Sequence, residues 1–272
     1  DITCQILTVA PGQNGQRVFH AIYSDETFTK YREVSLRSTD PTLVIEYDRE
    51  ISSLVGTANE FHPFVTGSYE NMLMWISARA FANNGNQATS VNVIPDLGPN
   101  GVNIDQSTPA SRPRYQENGP SGMPTISFDG VDDWLSTDLN LPETDYSAIV
   151  VFSTQDLSGN FITAVDPISP SAGSADRQFG LQSGNLQQRV FSLETISSTS
   201  TYNDGSPYIG LSTLGSSGQY IYVDGVQVAA GIQQSSDFDT DSGMVIGAHT
   251  TWGYLDGEIS EIIIFDSELN SS

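Results

Sequence analysis

The 272-residue sequence predicts an all-β fold, a two-layered antiparallel β-sandwich of jelly-roll type. Three observations carry this. Short apolar runs of strand length recur along the chain, bounded by Gly, Asp, Asn or Pro. No stretch holds a helical apolar period beyond one or two turns. Asp224-Gly225, set between Gln219–Val223 and Val226–Val228, is a hairpin signal.

Residues 1–62 form a first block. Ile2 to Val9 reads as a strand ended by Pro11-Gly12, and Asn14-Gly15 as a turn. Arg17 to Tyr23 alternates, with Val18, His20 and Ile22 on one face. Tyr31 to Leu36 and Leu43 to Tyr47 add two more strands. Four strands in so short a span predict a small N-terminal β block, either a sandwich of its own or an anchoring extension of the main sheet. Phe61-His62-Pro63-Phe64 and Gly67-Ser68 read as a crossover, because a residue before proline is held extended.

Residues 70–272 form the second block. Met72 to Ala78 is apolar enough for a buried strand. The polar stretch from Asn83 to Gly122 is long for a loop, and short strands such as Val91 to Ile94 should break it. Ile126 to Leu135 predicts a hairpin with its reversal at Gly130, Asp132 and Asp133 bonding their own backbone. Trp75 and Trp134 are expected in the core. Ala148 to Phe152, Phe161 to Val165, Gln178 to Gln182, Arg189 to Leu193 and Tyr208 to Leu214 follow as strands. After the Asp224-Gly225 hairpin come Met244 to Ala248 and Glu258 to Phe265, which closes the sheet.

Composition narrows the partners. Net charge is −23, from 33 acidic and 10 basic residues. Nucleic acid is excluded as a partner, since binding it needs Lys and Arg to neutralise phosphates. An anionic membrane surface is disfavoured for the same reason, and no apolar run approaches the roughly 18 residues of a span. Charged residues are 16% of the chain, against about 25% in an average domain. Ser, Thr, Asn, Gln and Gly fill the polar surface instead, which suits an extracellular β protein. The single cysteine, Cys4, forms no intrachain disulfide and reads as a small core residue. A start at Asp1 rather than Met reads as a processed product or an excised fragment.

Taken in order, several segments resemble a known family. They are Leu73-Met74-Trp75-Ile76-Ser77-Ala78, Arg112-Pro113-Arg114-Tyr115, Ile126 to Leu135, Tyr220-Ile221-Tyr222-Val223-Asp224-Gly225, Ile246-Gly247-Ala248 and Leu255 to Asp266. Together they resemble the laminin-G-like jelly roll of the concanavalin A-like lectin and glucanase fold, over about residues 70 to 270. One departure is Val93-Ile94-Pro95-Asp96-Leu97-Gly98, where the family commonly has a Trp before the turn. The first 62 residues lie outside the resemblance. The resemblance implies a structural calcium (Ca2+) on the convex face, held by a carboxylate of the final strand, here Glu261. By alternation Glu261 would share a face with Ile263 and Phe265, and within the inner apolar face it would need a partner or a metal.

The fold includes glycoside hydrolases, whose retaining members need two carboxylates about 5–5.5 Å apart. The nearest approach to their Glu-x-Asp-x-Glu strand is Glu143-Thr144-Asp145-Tyr146-Ser147, which lacks the second Glu. Asp237 to Gly243 is rich in acids but places its glycine one residue late for an EF-hand, with Ala248 where the bidentate Glu belongs. Sugar binding asks for an exposed aromatic beside carboxylates or amides. The best candidate is Trp252 and Tyr254 in Thr250-Thr251-Trp252-Gly253-Tyr254, and the second is Tyr202 and Asp204 in Tyr202-Asn203-Asp204-Gly205 together with Tyr208. The leading expectation is therefore a non-enzymatic extracellular module recognising a glycan or cell-surface receptor. The second is a structural component of a larger assembly, homo-oligomeric or on a virion or surface-layer scaffold, with the first block as anchor. The third is a glycoside hydrolase or lyase, against which the want of paired catalytic carboxylates counts.

Overall fold

The computed structural model describes the backbone of four strands within residues 3–51. From residue 71 onward it describes all but residues 80–89, 103, 121, 143–144, 167, 172–173, 191–194, 233–242, 250–251 and 270–272. The chain divides into two compact units, Asp1–Phe61 and His62–Ser272. Among the described residues no helix is long and apolar enough to cross a membrane.

In the first unit β1 (Thr3–Pro11), β2 (Arg17–Ser24), β3 (Tyr31–Thr39) and β4 (Thr42–Ile51) pair antiparallel in chain order. Among the described residues they make one four-stranded meander. The expected crossover at residues 61–68 lies outside the described residues.

Among its described residues the second unit carries eighteen strands, numbered onward along the chain. They are β5 (Met72–Ser77), β6 (Val93–Ile94), β7 (Ile104–Asp105), β8 (Arg114–Gln116), β9 (Thr125–Asp129) and β10 (Leu135–Thr137). Next come β11 (Tyr146–Thr154), β12 (Gly159–Asp166), β13 (Ser174–Gln182), β14 (Asn185–Val190), β15 (Ile196–Thr201) and β16 (Tyr208–Gly215). Then β17 (Gly218–Val223), β18 (Val226–Gly231), β19 (Gly243–Ile246), β20 (Ala248–His249), β21 (Gly253–Tyr254) and β22 (Asp256–Phe265). One sheet runs β18-β17-β16-β11-β22-β9-β8, with β5 also on β22; the other runs β15-β14-β13-β12-β19-β10-β7-β6. β20 and β21 pair with each other.

The core fills the space between the two sheets. Ile76, Ile126, Phe128, Tyr146, Ala148, Val150 and Phe152 from one meet Ile104, Leu135, Phe161, Ile162, Ala164, Phe179 and Ile246 from the other. β11 is buried along nearly its whole length because β16 and β22 flank it, as its unbroken apolar run requires. β14 alternates half-buried and buried instead, as a strand with one face inward should.

The stretch from Phe128 to Leu135 is not a hairpin. β9 pairs with β8 and β22, whereas β10 pairs with β7 and β19, so this stretch is a corner carrying the chain from one sheet to the other. Its turn is held by Asp129, whose Oδ1 accepts from Val131 N at 2.9 Å and Asp132 N at 3.2 Å. A hairpin and a corner share one sequence signature, two apolar runs around a polar turn, so alternation could not separate them. Nearby, Gly247 has φ +86, and a Cβ there would lie 2.3 Å from the Phe128 ring. The aromatic ring of one sheet thus seats directly on backbone beside the other.

Trp75 and Trp134 are half-buried rather than core. Each packs on a smaller cluster away from the central one, Trp75 with Met72, Ile149, Ile263 and Phe265, and Trp134 with Val165, Val245 and Ala248.

Candidate functional site

Several connections meet at one end of the sandwich and brace one another. Gly130 N donates to Leu255 O at 2.9 Å, joining the corner to the segment before β22. Thr154 Oγ1 donates to Asp256 O, and Gly205 N donates to Thr154 O at 2.9 Å. Gly184 N reaches Leu157 O at 2.7 Å, and Tyr202 N reaches Gly184 O at 2.8 Å. Five segments are thereby pinned together, by main-chain bonds and the Thr154 hydroxyl, which fixes whatever side chains they carry.

Tyr202 and Tyr208 stand on this end as a pair. Their rings meet edge to face, centroids 5.2 Å apart at 85°. Tyr208 in turn lies 5.9 Å from Phe152, which lies 4.4 Å from Phe161. The tyrosines are the outer end of an aromatic column rooted in the core, each half-buried with part of its surface open. Such a column leaves the rings little rotamer freedom, so a ligand would order little on binding.

Asp204 sits beside them, exposed. Its Oδ1 accepts from Ser206 N at 2.9 Å and from the Tyr208 hydroxyl at 3.1 Å. The Ser206 amide holds this carboxyl below its ordinary range. Burial raises both tyrosines, and the negative charges of Asp224 at Tyr202 and of Asp204 at Tyr208 raise them further. Asp224 belongs to the β17–β18 turn, where φ of +50 at Asp224 and +80 at Gly225 give the double left-handed turn the Asp-Gly pair predicts. Its Oδ1 accepts from Ile209 N at 3.0 Å. Asp224 was missed as a site residue; the same dipeptide that signals the turn puts its carboxylate beside the tyrosines.

The other aromatic pair fares differently. Trp252 is only 5% exposed, and the β20–β21 ribbon turns its indole inward, so it offers no open face for stacking. Tyr254 is half-buried against Val165, Val245 and Ala248. Beneath this ribbon Asn160 Nδ2 donates to Gly253 O at 3.1 Å, and Gln178 Nε2 lies 3.1 Å from Nδ1 of buried His249. These bonds fasten the ribbon to its sheet.

Glu261 lies on the face of β22 with Ile263 and Phe265, away from the central core, which takes Ile259, Ile262 and Ile264. A bulge at Ser260 produces this: Val151 pairs with Glu261 and the next residue, Phe152, with Ile259. Glu261 is therefore not within the inner face. Burial raises its pKa, opposed by hydrogen bonds from Ser77 and Trp75 and by the charge of Arg79. Ser77 Oγ donates to Oε1 at 3.2 Å. Among the described residues this carboxylate has one hydroxyl and a neighbouring cation beside it, where calcium takes six to eight oxygens.

Among the described residues, the three acids whose ligand atoms converge within 4.8 Å are Asp129, Asp132 and Asp133. Asp133 is only 5% exposed. Its pKa is raised to about 6 by burial and by the charges of Asp129 and Asp132, against Arg114. Burial would raise Asp129 too, but backbone amides of Val131, Asp132 and Asp133 outweigh it and hold that carboxyl low. The split resembles that of a general acid and its partner, and Asp133 also bonds the backbone of Asp129. Glu143 and Thr144, and residues 237–242, lie outside the described residues.

Comparison with known proteins follows the architecture. The family described as the concanavalin A-like lectin/glucanases superfamily matches residues 129–272, more than half of the chain. Among curated proteins none matches the sequence. Of solved structures, the Trypanosoma rangeli sialidase in complex with sialic acid aligns at TM-score 0.53 and 9% identity, covering 100% of this chain and 52% of that one. Another T. rangeli sialidase structure gives 0.52 and 11%, covering 97% and 51%. The botulinum neurotoxin serotype D ligand binding domain in complex with N-acetylneuraminic acid gives 0.51 and 12%, covering 75% and 49%. The chain spans about half the length of these structures. At such identities the likeness is one of fold.

Proposed function

As the chain belongs to the concanavalin A-like lectin/glucanases superfamily, we propose that its second unit is a non-enzymatic glycan-recognition module. It works outside the cell, at a cell or virion surface, and grips sugar through Tyr202, Asp204 and Tyr208. The observation that carries this reading is the tyrosine pair. Two rings 5.2 Å apart are fixed by the aromatic column, with an ionised carboxylate bonded to one of them. A ring face covers the C–H side of a pyranose while the carboxylate takes its hydroxyls. The sialic-acid complexes of the sialidase and the neurotoxin domain support the sugar class in general.

A glycan array tests it. The full chain should bind a subset of glycans, and Tyr208→Ala should weaken that binding about tenfold or more, roughly 1.4 kcal/mol, with its melting curve nearly unchanged. An array with no binder, or equal binding by the variant, counts against it.

The separation of Asp1–Phe61 as a unit favours a second reading, in which that sheet anchors the chain in a larger assembly. Light scattering at increasing concentration tests this; a strict monomer speaks against self-assembly.

A further inference from the structure

We infer that the Tyr202–Tyr208 site takes uncharged, hydroxyl-rich sugars and turns acidic sugars away. This rests on the glycan reading above and adds the class of sugar. Hydrogen-bond polarity is the first argument. Tyr208 donates its phenolic proton inward, to Asp204 Oδ1 at 3.1 Å, so its oxygen meets a ligand with lone pairs. Ser206 N reaches the same Oδ1 at 2.9 Å and the Ser206 hydroxyl also bonds this exposed carboxylate, whose remaining lone pairs only accept. Asp224 likewise uses Oδ1 on Ile209 N, at 3.0 Å, and brings no proton of its own. This group of acceptors needs a ligand that donates. A sugar hydroxyl does so; a sugar carboxylate, an acceptor only, does not.

Charge gives the second argument independently. The connecting loops carry Asp156, Asp204, Asp224 and Asp256. No Lys or Arg occurs in residues 154–158 or 183–185, nor anywhere from residue 190 to 272. The last base, Arg189, lies four residues along β14 from Asn185, about 13 Å of strand. Its Nη1 donates to Gln178 Oε1 at 3.3 Å. An anionic sugar at the tyrosines would face the carboxylates of Asp204 and Asp224 with no Lys or Arg in these loops to balance them. The donors that are present are neutral: the Tyr202 hydroxyl and the side-chain amides of Asn203, beside Gly184, and Gln155, beside Gly205.

The test is surface plasmon resonance of the full chain over immobilised oligosaccharides, each neutral member paired with its sialylated counterpart, at low and at physiological salt. Neutral members should bind in a Tyr208-dependent way, and sialylation should weaken binding at least tenfold at low salt. Screening should narrow that gap as salt rises. The double variant Asp204→Asn/Asp224→Asn keeps an accepting oxygen at each position, and Asn tolerates the left-handed backbone of residue 224. It should bring the gap below threefold. If the variant fails to fold, the salt series on the unmodified chain decides. Sialylated members binding as well as neutral ones through Tyr208, or a gap unmoved by salt and by loss of both charges, overturns the inference while leaving the glycan reading intact. Binding to no glycan overturns that reading and this inference with it.

Discussion

A carboxylate 5% exposed at a turn of three acids has a measurable consequence. In the unfolded chain Asp133 ionises near 3.8, and in the folded chain near 6. Between those values the folded state holds the extra proton. Its contribution to stability is full below 3.8 and falls as pH rises to about 6. Asp133→Asn should flatten that part of the urea-midpoint profile and gain on the order of 1 kcal/mol at pH 7, allowing for solvent screening; an unchanged slope speaks against it. The two aromatic groups separate in the same manner. Trp252→Ala should lower stability by about 3 kcal/mol or more, as burial of a large ring implies, whereas Tyr208→Ala should alter binding and leave the melt close to its original value. Tyr202, Asp204 and Tyr208 were legible in the sequence because they fall within seven residues, where loop chemistry alone brings them together. Burial of Trp252 was not, since it depends on a ribbon held from β12 and β13, far away in the chain.

Among elements, the strands themselves were legible and their partners less so. β11, β16, β17, β19 and β22 announce themselves by apolar runs and turn residues. β15, written Ile-Ser-Ser-Thr-Ser-Thr, escaped because its apolar content is one residue; Asn185 and Ser198 bind it by side-chain hydrogen bonds instead. Asp96 was seen only as a departure from a family pattern. Its carboxylate accepts from Trp75 N and Gly98 N at 2.7 Å and from Val102 N at 3.0 Å, stapling the following loop to β5. The bulge at Ser260 hides from alternation too, because one extra residue reverses every face before it. Deleting Ser260 removes the extra residue and leaves Glu261 opposite Val151 and Ile259 opposite Phe152, each on its present face. A folded variant, read by circular dichroism, is therefore expected; loss of soluble folded protein would show that the strand needs the bend the bulge provides. Gly247→Ala should destabilise by about 2 kcal/mol or more through its Phe128 clash and left-handed backbone.

At the scale of the molecule, a sandwich with its own interior presents a braced set of loops at one end. The second unit should fold alone: residues 62–272 hold the central cluster entire, and their isolated fragment should melt cooperatively. Fold class was legible because an all-β pattern needs only period and punctuation. Which loops converge was not, because that is decided by strand order, and strand order leaves no local trace. The most direct measurement of the central claim is amide chemical-shift mapping with a glycan that the array selects. The account predicts shifts gathered at Ser183–Gly184, Tyr202–Tyr208 and Asp224–Gly225, with little change at Trp252 or along the central strands. Shifts centred on a sheet face, with those loops unmoved, would contradict it.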